Sequence, residues 1–243
     1  YTAYPPPEYL RLIRWEWASE NDKSEIRYKE VKRIKCHLGT DKFDVSPDEK
    51  RVAFFDTPEV GYDEIRFDEL KVYSLPDLSL LGKSDDHFEA MKPDYTDDQL
   101  LDFYMSEYRF IDPVFHPSEP VLASCLSYGI LNFWNAETME LKNSIYLKDL
   151  FGLLNDKRIM QIQFSNNGKG IFFLTTQGYG RGDVFFRDCE KKKITKIAEN
   201  APIFKLHFVE PSKVCYYRGL TRREKEIVVC VYDLKAKQEH VVC

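Results

Sequence analysis

The side chains able to do chemistry are scattered along this sequence. Five histidines, His37, His87, His116, His207 and His240, stand far apart. None is spaced to take a proton from a nearby Ser or Cys. The patterns G-x-S-x-G, H-E-x-x-H, the Walker loop and the calcium loop are absent from the sequence. The six cysteines, Cys36, Cys125, Cys189, Cys215, Cys230 and Cys243, contain no C-x-x-C pair of the kind that holds zinc. Cys215 and Cys230 sit inside apolar runs, and no Asn-x-Ser/Thr sequon occurs. Buried free thiols and a reducing compartment, cytoplasmic or nuclear, are therefore expected. Asn167-Gly168-Lys169-Gly170 resembles the end of a phosphate loop, but Gln163 stands where that loop needs its first Gly. It reads as a hairpin turn. The expectation is a protein without catalysis, cofactor or metal.

Recognition chemistry is better represented. Gly178-Tyr179-Gly180-Arg181-Gly182 reads as a loop whose Tyr179 and Arg181 are residue types enriched at binding hot spots. A second candidate is the segment Lys83 to Tyr108. Between Lys83 and Asp102 it carries seven acids against two lysines, with Phe88 and Tyr95 among them. Thr96-Asp97-Asp98-Gln99 fits a capping box, so a short helix is predicted to about Ser106. Phe88, Tyr95, Asp97 and Asp98 are the contacts expected there, for a protein partner with a basic surface. A third candidate is basic: Lys191-Lys192-Lys193 with Lys196, and Arg222-Arg223 with Lys225, all in turns.

The charge arithmetic frames these candidates. The chain has 243 residues and a net charge of −5. Residues 158–243 hold 16 basic against 9 acidic residues, and residues 1–157 hold 19 against 31. An acidic flank and a basic flank are expected. The overall negative charge argues against nucleic acid as a partner. No apolar run reaches the ~18 residues of a membrane-crossing helix, and no membrane partner is expected.

The elements that must carry these residues come from repeats. Four units share one layout: an apolar strand, a polar turn, a strongly apolar strand, a loop, an alternating strand and a weak polar strand. Their first strands end at Val45, Phe115, Phe164 and Phe208, spaced 70, 49 and 44 residues apart. The turns are Ser46-Pro47-Asp48, His116-Pro117-Ser118, Ser165-Asn166-Asn167-Gly168 and Glu210-Pro211-Ser212. Proline presets the turn dihedral, and Ser, Asp or Asn caps it. In that frame His116 is expected to face solvent or cap its turn. The second strands are apolar on both faces and need cover on both sides. The third strands close on Tyr73-Ser74, Trp134-Asn135, Arg187-Asp188 and Tyr232-Asp233. A gradient from apolar inner strand to polar outer strand predicts an all-β fold of four-stranded antiparallel propeller blades, with one short helical insertion.

At these residues the chain resembles the WD-repeat and WD-like β-propeller family. Trp134-Asn135 and Tyr232-Asp233 stand where that family carries its Trp-Asp dipeptide, although the Gly-His that opens its repeats is absent. The Ser-Pro-Asp-x-Lys turn also resembles TolB-like propellers and the propeller domains of prolyl oligopeptidases. The first resemblance implies a protein–protein interaction scaffold within a larger complex. The resemblance to oligopeptidase propellers implies the alternative, an accessory propeller of a serine hydrolase whose catalytic domain lies elsewhere. The organisation read from the sequence is one propeller domain or propeller fragment. Residues 1–35 form a strand hairpin, 36–82 a blade and 83–108 the acidic insertion. Residues 109–157, 158–199 and 200–243 form three more blades. The chain begins at Tyr1 rather than Met, so it is expected to be a piece of a longer one.

Overall fold

The computed structural model describes residues 8–17, 26–36, 38–56, 69–75, 77–84, 110–126, 130–146, 158–176, 182–201, 203–210, 213–219 and 227–241. The predicted helix near 97–106 lies outside these residues, and every regular element among them is a strand. A hairpin comes first, β1 (Glu8–Trp17) antiparallel to β2 (Ile26–Cys36). Four sheets follow. The first holds β3 (Leu38–Val45), β4 (Arg51–Asp56), β5 (Glu69–Ser74) and β6 (Leu80–Ser84). The second holds β7 (Phe110–Phe115), β8 (Val121–Leu126), β9 (Ile130–Asn135) and β10 (Leu141–Tyr146). The third holds β11 (Arg158–Phe164), β12 (Gly170–Thr176), β13 (Gly182–Asp188) and β14 (Lys193–Ala201). The fourth holds β15 (Ile203–Glu210), β16 (Lys213–Gly219), β17 (Ile227–Asp233) and β18 (Gln238–Val241). In each sheet the strands lie in sequence order and pair antiparallel.

Burial follows the expected gradient. Val52 to Asp56 are all buried in β4, as are Leu122 to Cys125 in β8 and Ile171 to Thr175 in β12. The described residues of β18 are exposed. A strand apolar on both faces must be covered twice, and the hydrophobic clusters supply that cover. One cluster joins Phe55, Leu70 and Val72 of the first sheet to Phe115, Leu122 and Trp134 of the second. The next joins Cys125 and Leu131 of the second to Ile162, Phe173 and Phe185 of the third. The last joins Phe172, Leu174 and Val184 of the third to Cys230 of the fourth. Each cluster therefore belongs to two successive sheets. The first strands β3, β7, β11 and β15 touch in succession, so they form the inner side of the stack.

Single bonds reinforce the packing. Trp134 is buried and its Nε1 donates to Ser124 Oγ at 2.8 Å, which satisfies the one polar atom of the ring. The amide of Phe115 donates to Asp44 Oδ2 at 2.7 Å, from the second sheet to the first. In the hairpin, Lys32 Nζ donates to the carbonyls of Asp77, at 2.5 Å, and of Leu78. This bond ties the hairpin to the first sheet. Among the described residues Cys125, Cys189 and Cys230 are not in disulfides, and burial pushes the Cys125 thiol far up, so it stays an inert, protonated packing group.

Candidate binding face at the turn ends of the sheets

In a sheet of sequence-ordered antiparallel strands, the turns from strand one to two and from strand three to four lie at the same end. Side chains of the turns themselves fix that end. In the first sheet Ser46 Oγ donates to Asp48 Oδ1 at 2.5 Å and accepts from Arg51 N at 2.9 Å. The third sheet repeats this with Ser165, whose Oγ donates to Asn167 Oδ1 at 2.8 Å and accepts from Gly170 N at 3.0 Å. Three residues after each serine the backbone is left-handed, at Glu49 (φ 56°) and Gly168 (φ 70°). In the second sheet His116 replaces the serine. Its Nδ1 accepts the amides of Ser118 and Glu119 at 3.3 and 3.0 Å. Its Nε2 then donates to Gly168 O at 3.1 Å, in the third sheet. The ring is 7% exposed and meets Phe164 edge-on. The histidine is thus a capping residue, as one sequence reading had it, but it faces the neighbouring sheet rather than solvent.

The closing pairs of the third strands have an equally local cause. Asn135 Oδ1 accepts Glu137 N at 2.9 Å, Asp188 Oδ1 accepts Lys191 N at 2.9 Å, and Asp233 Oδ1 accepts Lys235 N at 2.7 Å. Ser74 plays the part in the first sheet through Asp77 and Ser79. Four residues after each capping residue the backbone turns left-handed, at Leu78, Met139, Lys192 and Lys237. The backbone N–H bonds hold Asp188 and Asp233 below the usual carboxylate range, so both caps stay charged.

Between the first two sheets this end opens into a cleft of about 400 Å³. Ser46, Asp48 and Arg51 form one wall, Phe115 to Pro120 the other, and Ala136 with Glu137 closes the side. Arg51 spans the opening, with Nη2 3.0 Å from Asp48 Oδ2 and Nη1 3.5 Å from Glu137 Oε1. The Ser46 hydroxyl, then the Arg51 guanidinium and the Lys50 amide, lower the Asp48 pKa to about 2.

The cleft walls have few backbone donors to offer. Pro47, Pro117 and Pro120 have no N–H. The amides of Ser46, Arg51, Phe115, His116, Ser118, Glu119, Ala136 and Glu137 are already committed to acceptors within the fold. Among the described lining residues that leaves the amide of Asp48. Arg51 takes up the carboxylates of Asp48 and Glu137, and the Ser118 hydroxyl and the Glu119 carboxylate are exposed at the rim.

Charge divides the same end of the molecule. Turns of the first two sheets carry Asp48, Glu49, Asp77, Glu119, Glu137 and Glu140 against Lys50 and Arg51. Turns of the last two carry Lys169, Lys191, Lys192, Lys193, Lys235 and Lys237 against Asp188, Glu190 and Asp233. No group of three or more His, Cys, Asp or Glu that could hold a metal occurs among the described residues.

The comparisons with known proteins bear on the architecture. No protein-family model matches the chain, and no curated protein matches it in sequence. Among solved structures it is similar to TolB from Acinetobacter baumannii, with a TM-score of 0.50 at 11% identity. The match covers 88% of this chain and 47% of that one, so the chain spans about half the length of the protein it matches. The fold is a β-propeller. Its blades are the four sheets, and the cleft lies between the first blade and the second.

Phe88, Tyr95, Asp97, Asp98, Tyr179, Arg181, Arg222 and Arg223 lie outside the described residues. Sequence reasoning missed the cleft residues Arg51, Glu119 and Glu137. The available signal was two equivalent turns carrying three prolines among acids.

A titration checks the electrostatics of this end. Asp48 has its folded pKa below the ordinary 3.8, so its contribution to stability is fully present above that value. The contribution is lost as pH falls through about 2. Carboxyl carbon shifts should therefore report a midpoint near 2 for Asp48. Ser46→Ala removes the largest cause and should bring the midpoint back toward 3.8. An unchanged midpoint in that variant would refute the assignment.

Proposed function

We propose that the chain is a non-catalytic protein–protein interaction scaffold of the WD-like propeller type, a subunit or domain of a larger complex. The observation that carries this reading is the set of seven turns among the described residues at one end, each locked by its own Ser, His, Asn or Asp. Locked turns present charged tips without an ordering cost at binding. Opposite charge on the two halves of that end steers and orients a partner more than it adds affinity. The caps at Asn135 and Asp233, next to Trp134 and Tyr232, support the WD-like type, because they give the dipeptide its structural reason. The reading includes a reducing compartment, cytoplasmic or nuclear, in which Cys125 and Cys230 serve as buried packing groups.

The acidic insertion belongs to this proposal as a second contact, with Phe88 and Tyr95 as anchors. The test is affinity capture from cell extract with crosslinking and mass spectrometry. Wild-type chain should retain proteins through basic surfaces, in a salt-sensitive way. Replacing Asp85–Asp98 with a short Gly-Ser segment should remove part of that set. If the folded wild-type chain captures nothing specific, the scaffold reading fails.

A further inference from the structure

We propose that His116 is a proton-operated latch between the second and third blades, closed while its imidazole is neutral and released when the ring takes a second proton. The bonds around the ring define its closed state. The amides of Ser118 and Glu119 both donate to Nδ1, so that nitrogen carries no proton. Nε2 therefore carries the N–H, and it donates to Gly168 O in the third blade. A doubly protonated imidazole has donors only. Its Nδ1–H would point at two other N–H groups. The ring is 7% exposed, and the described groups bonded to that nitrogen are all donors. The charged ring must leave its seat, and the bond to Gly168 and the edge contact with Phe164 are lost with it. Pro117 to Pro120 form one wall of the cleft, so release frees that wall as well.

The charged groups around this seat do not offset a positive ring. Glu119 of its own turn, Glu137 of the neighbouring turn, and Asp48 and Arg51 of the first blade line the cleft with it. Asp48 and Glu137 are taken up by Arg51, whose own charge opposes a second cation. The Glu119 carboxylate is exposed at the rim. The third blade brings Lys169, next to Gly168 and paired with Glu190 at 2.9 Å. Among the described residues no carboxylate is bonded to the imidazole. The sister turns lack such a device. Ser46 and Ser165 hold theirs through hydroxyls, and Asp48 stays charged down to about pH 2. Of the described caps at this end, His116 alone is of a type that changes charge between pH 5 and 8.

The experiment uses the full chain labelled with nitrogen-15 and needs no partner, so its outcome is separate from that of the scaffold reading. At about pH 7.5 the side-chain nitrogen shifts of His116 should report the Nε2–H tautomer. Amide hydrogen exchange, corrected for its intrinsic rate, is then followed down to about pH 5.5. A released imidazole takes up its proton near the ordinary value of about 6.5, so opening at Ser118 and Glu119 should rise about tenfold over that range. The stabilisation belongs to the neutral ring, so it is present at the upper pH and lost as pH falls. The amide of Arg51, bonded to Ser46 Oγ, should not follow and is the control within the same molecule. His116→Asn supplies an uncharged acceptor, as Asn135 does for Glu137 and Thr138, and should abolish the pH dependence. The melting temperature shows whether that variant is folded. If it is not, the wild-type contrast of Ser118 and Glu119 with Arg51 still decides. The latch is overturned if opening at Ser118 and Glu119 tracks Arg51 at every pH, or if the ring is the Nδ1–H tautomer at the upper pH. It is also overturned if folded His116→Asn keeps the pH dependence, which then belongs to another group.

Discussion

Trp134→Ala should destabilise the protein by about 3–5 kcal/mol, the range for emptying a large aromatic site in a packed core. The ring is 3% exposed, and its cluster spans the first two blades. Neighbours can collapse into the void only by moving a whole blade, so relaxation is limited. Trp134→Phe keeps most of the volume and loses the bond to Ser124, and should cost less, about 1–2 kcal/mol. Denaturant midpoints for the two variants give the comparison. Hydrogen exchange gives a second readout: protection should fall in β4 and β5 of the first blade as well as in β8 and β9. A loss confined to the second blade would contradict the shared core.

Gly168→Ala is the second large effect, expected at about 3 kcal/mol. Its backbone is left-handed (φ 70°), which costs a residue with a Cβ ~1–2 kcal/mol. The new Cβ would also lie only 2.2 Å from His116 Cε1 and Nε2. The ring must move, and its bond to Gly168 O is lost with that movement. Removing the obstacle separates the two causes. In a His116→Ala background the same glycine substitution should cost only the backbone share, leaving a coupling of about 1 kcal/mol or more between the two sites. Additive effects in that cycle would mean the ring gives way freely and does not brace the third blade.

The sequence made the blades legible because blade chemistry is local. Ser46-Pro47-Asp48 and Ser165-Asn166-Asn167-Gly168 fold their turns with their own side chains, and Asn135, Asp188 and Asp233 cap theirs within three residues. The doubly apolar runs at Val52–Phe55 and Ile171–Leu174 announced strands covered on both faces. His116 was only half legible. Its turn position pointed to a cap, but the bond to Gly168 spans 52 residues and exists only because two blades meet. The cleft was hidden for the same reason. Arg51 opens β4 while Glu119 and Glu137 come from two different turns, and no spacing along the chain signals that they share a cavity. Aromatic and charged loops drew attention instead, because composition marks a loop more strongly than a seam between two sheets.

The sharing of each hydrophobic cluster between two successive blades has a thermodynamic consequence. Such a stack behaves as a one-dimensional array, whose free energy is a sum of intrinsic unit terms and nearest-neighbour coupling terms. A single four-stranded sheet, apolar on both faces, has little stability alone, so the coupling terms dominate. The second and third blades each take part in two couplings among the described clusters. Loosening either of them weakens two seams at once, and cooperativity then passes sideways from blade to blade. Any ligand bound across one seam would strengthen that coupling term, and the gain in protection against unfolding would extend past the blades it touches.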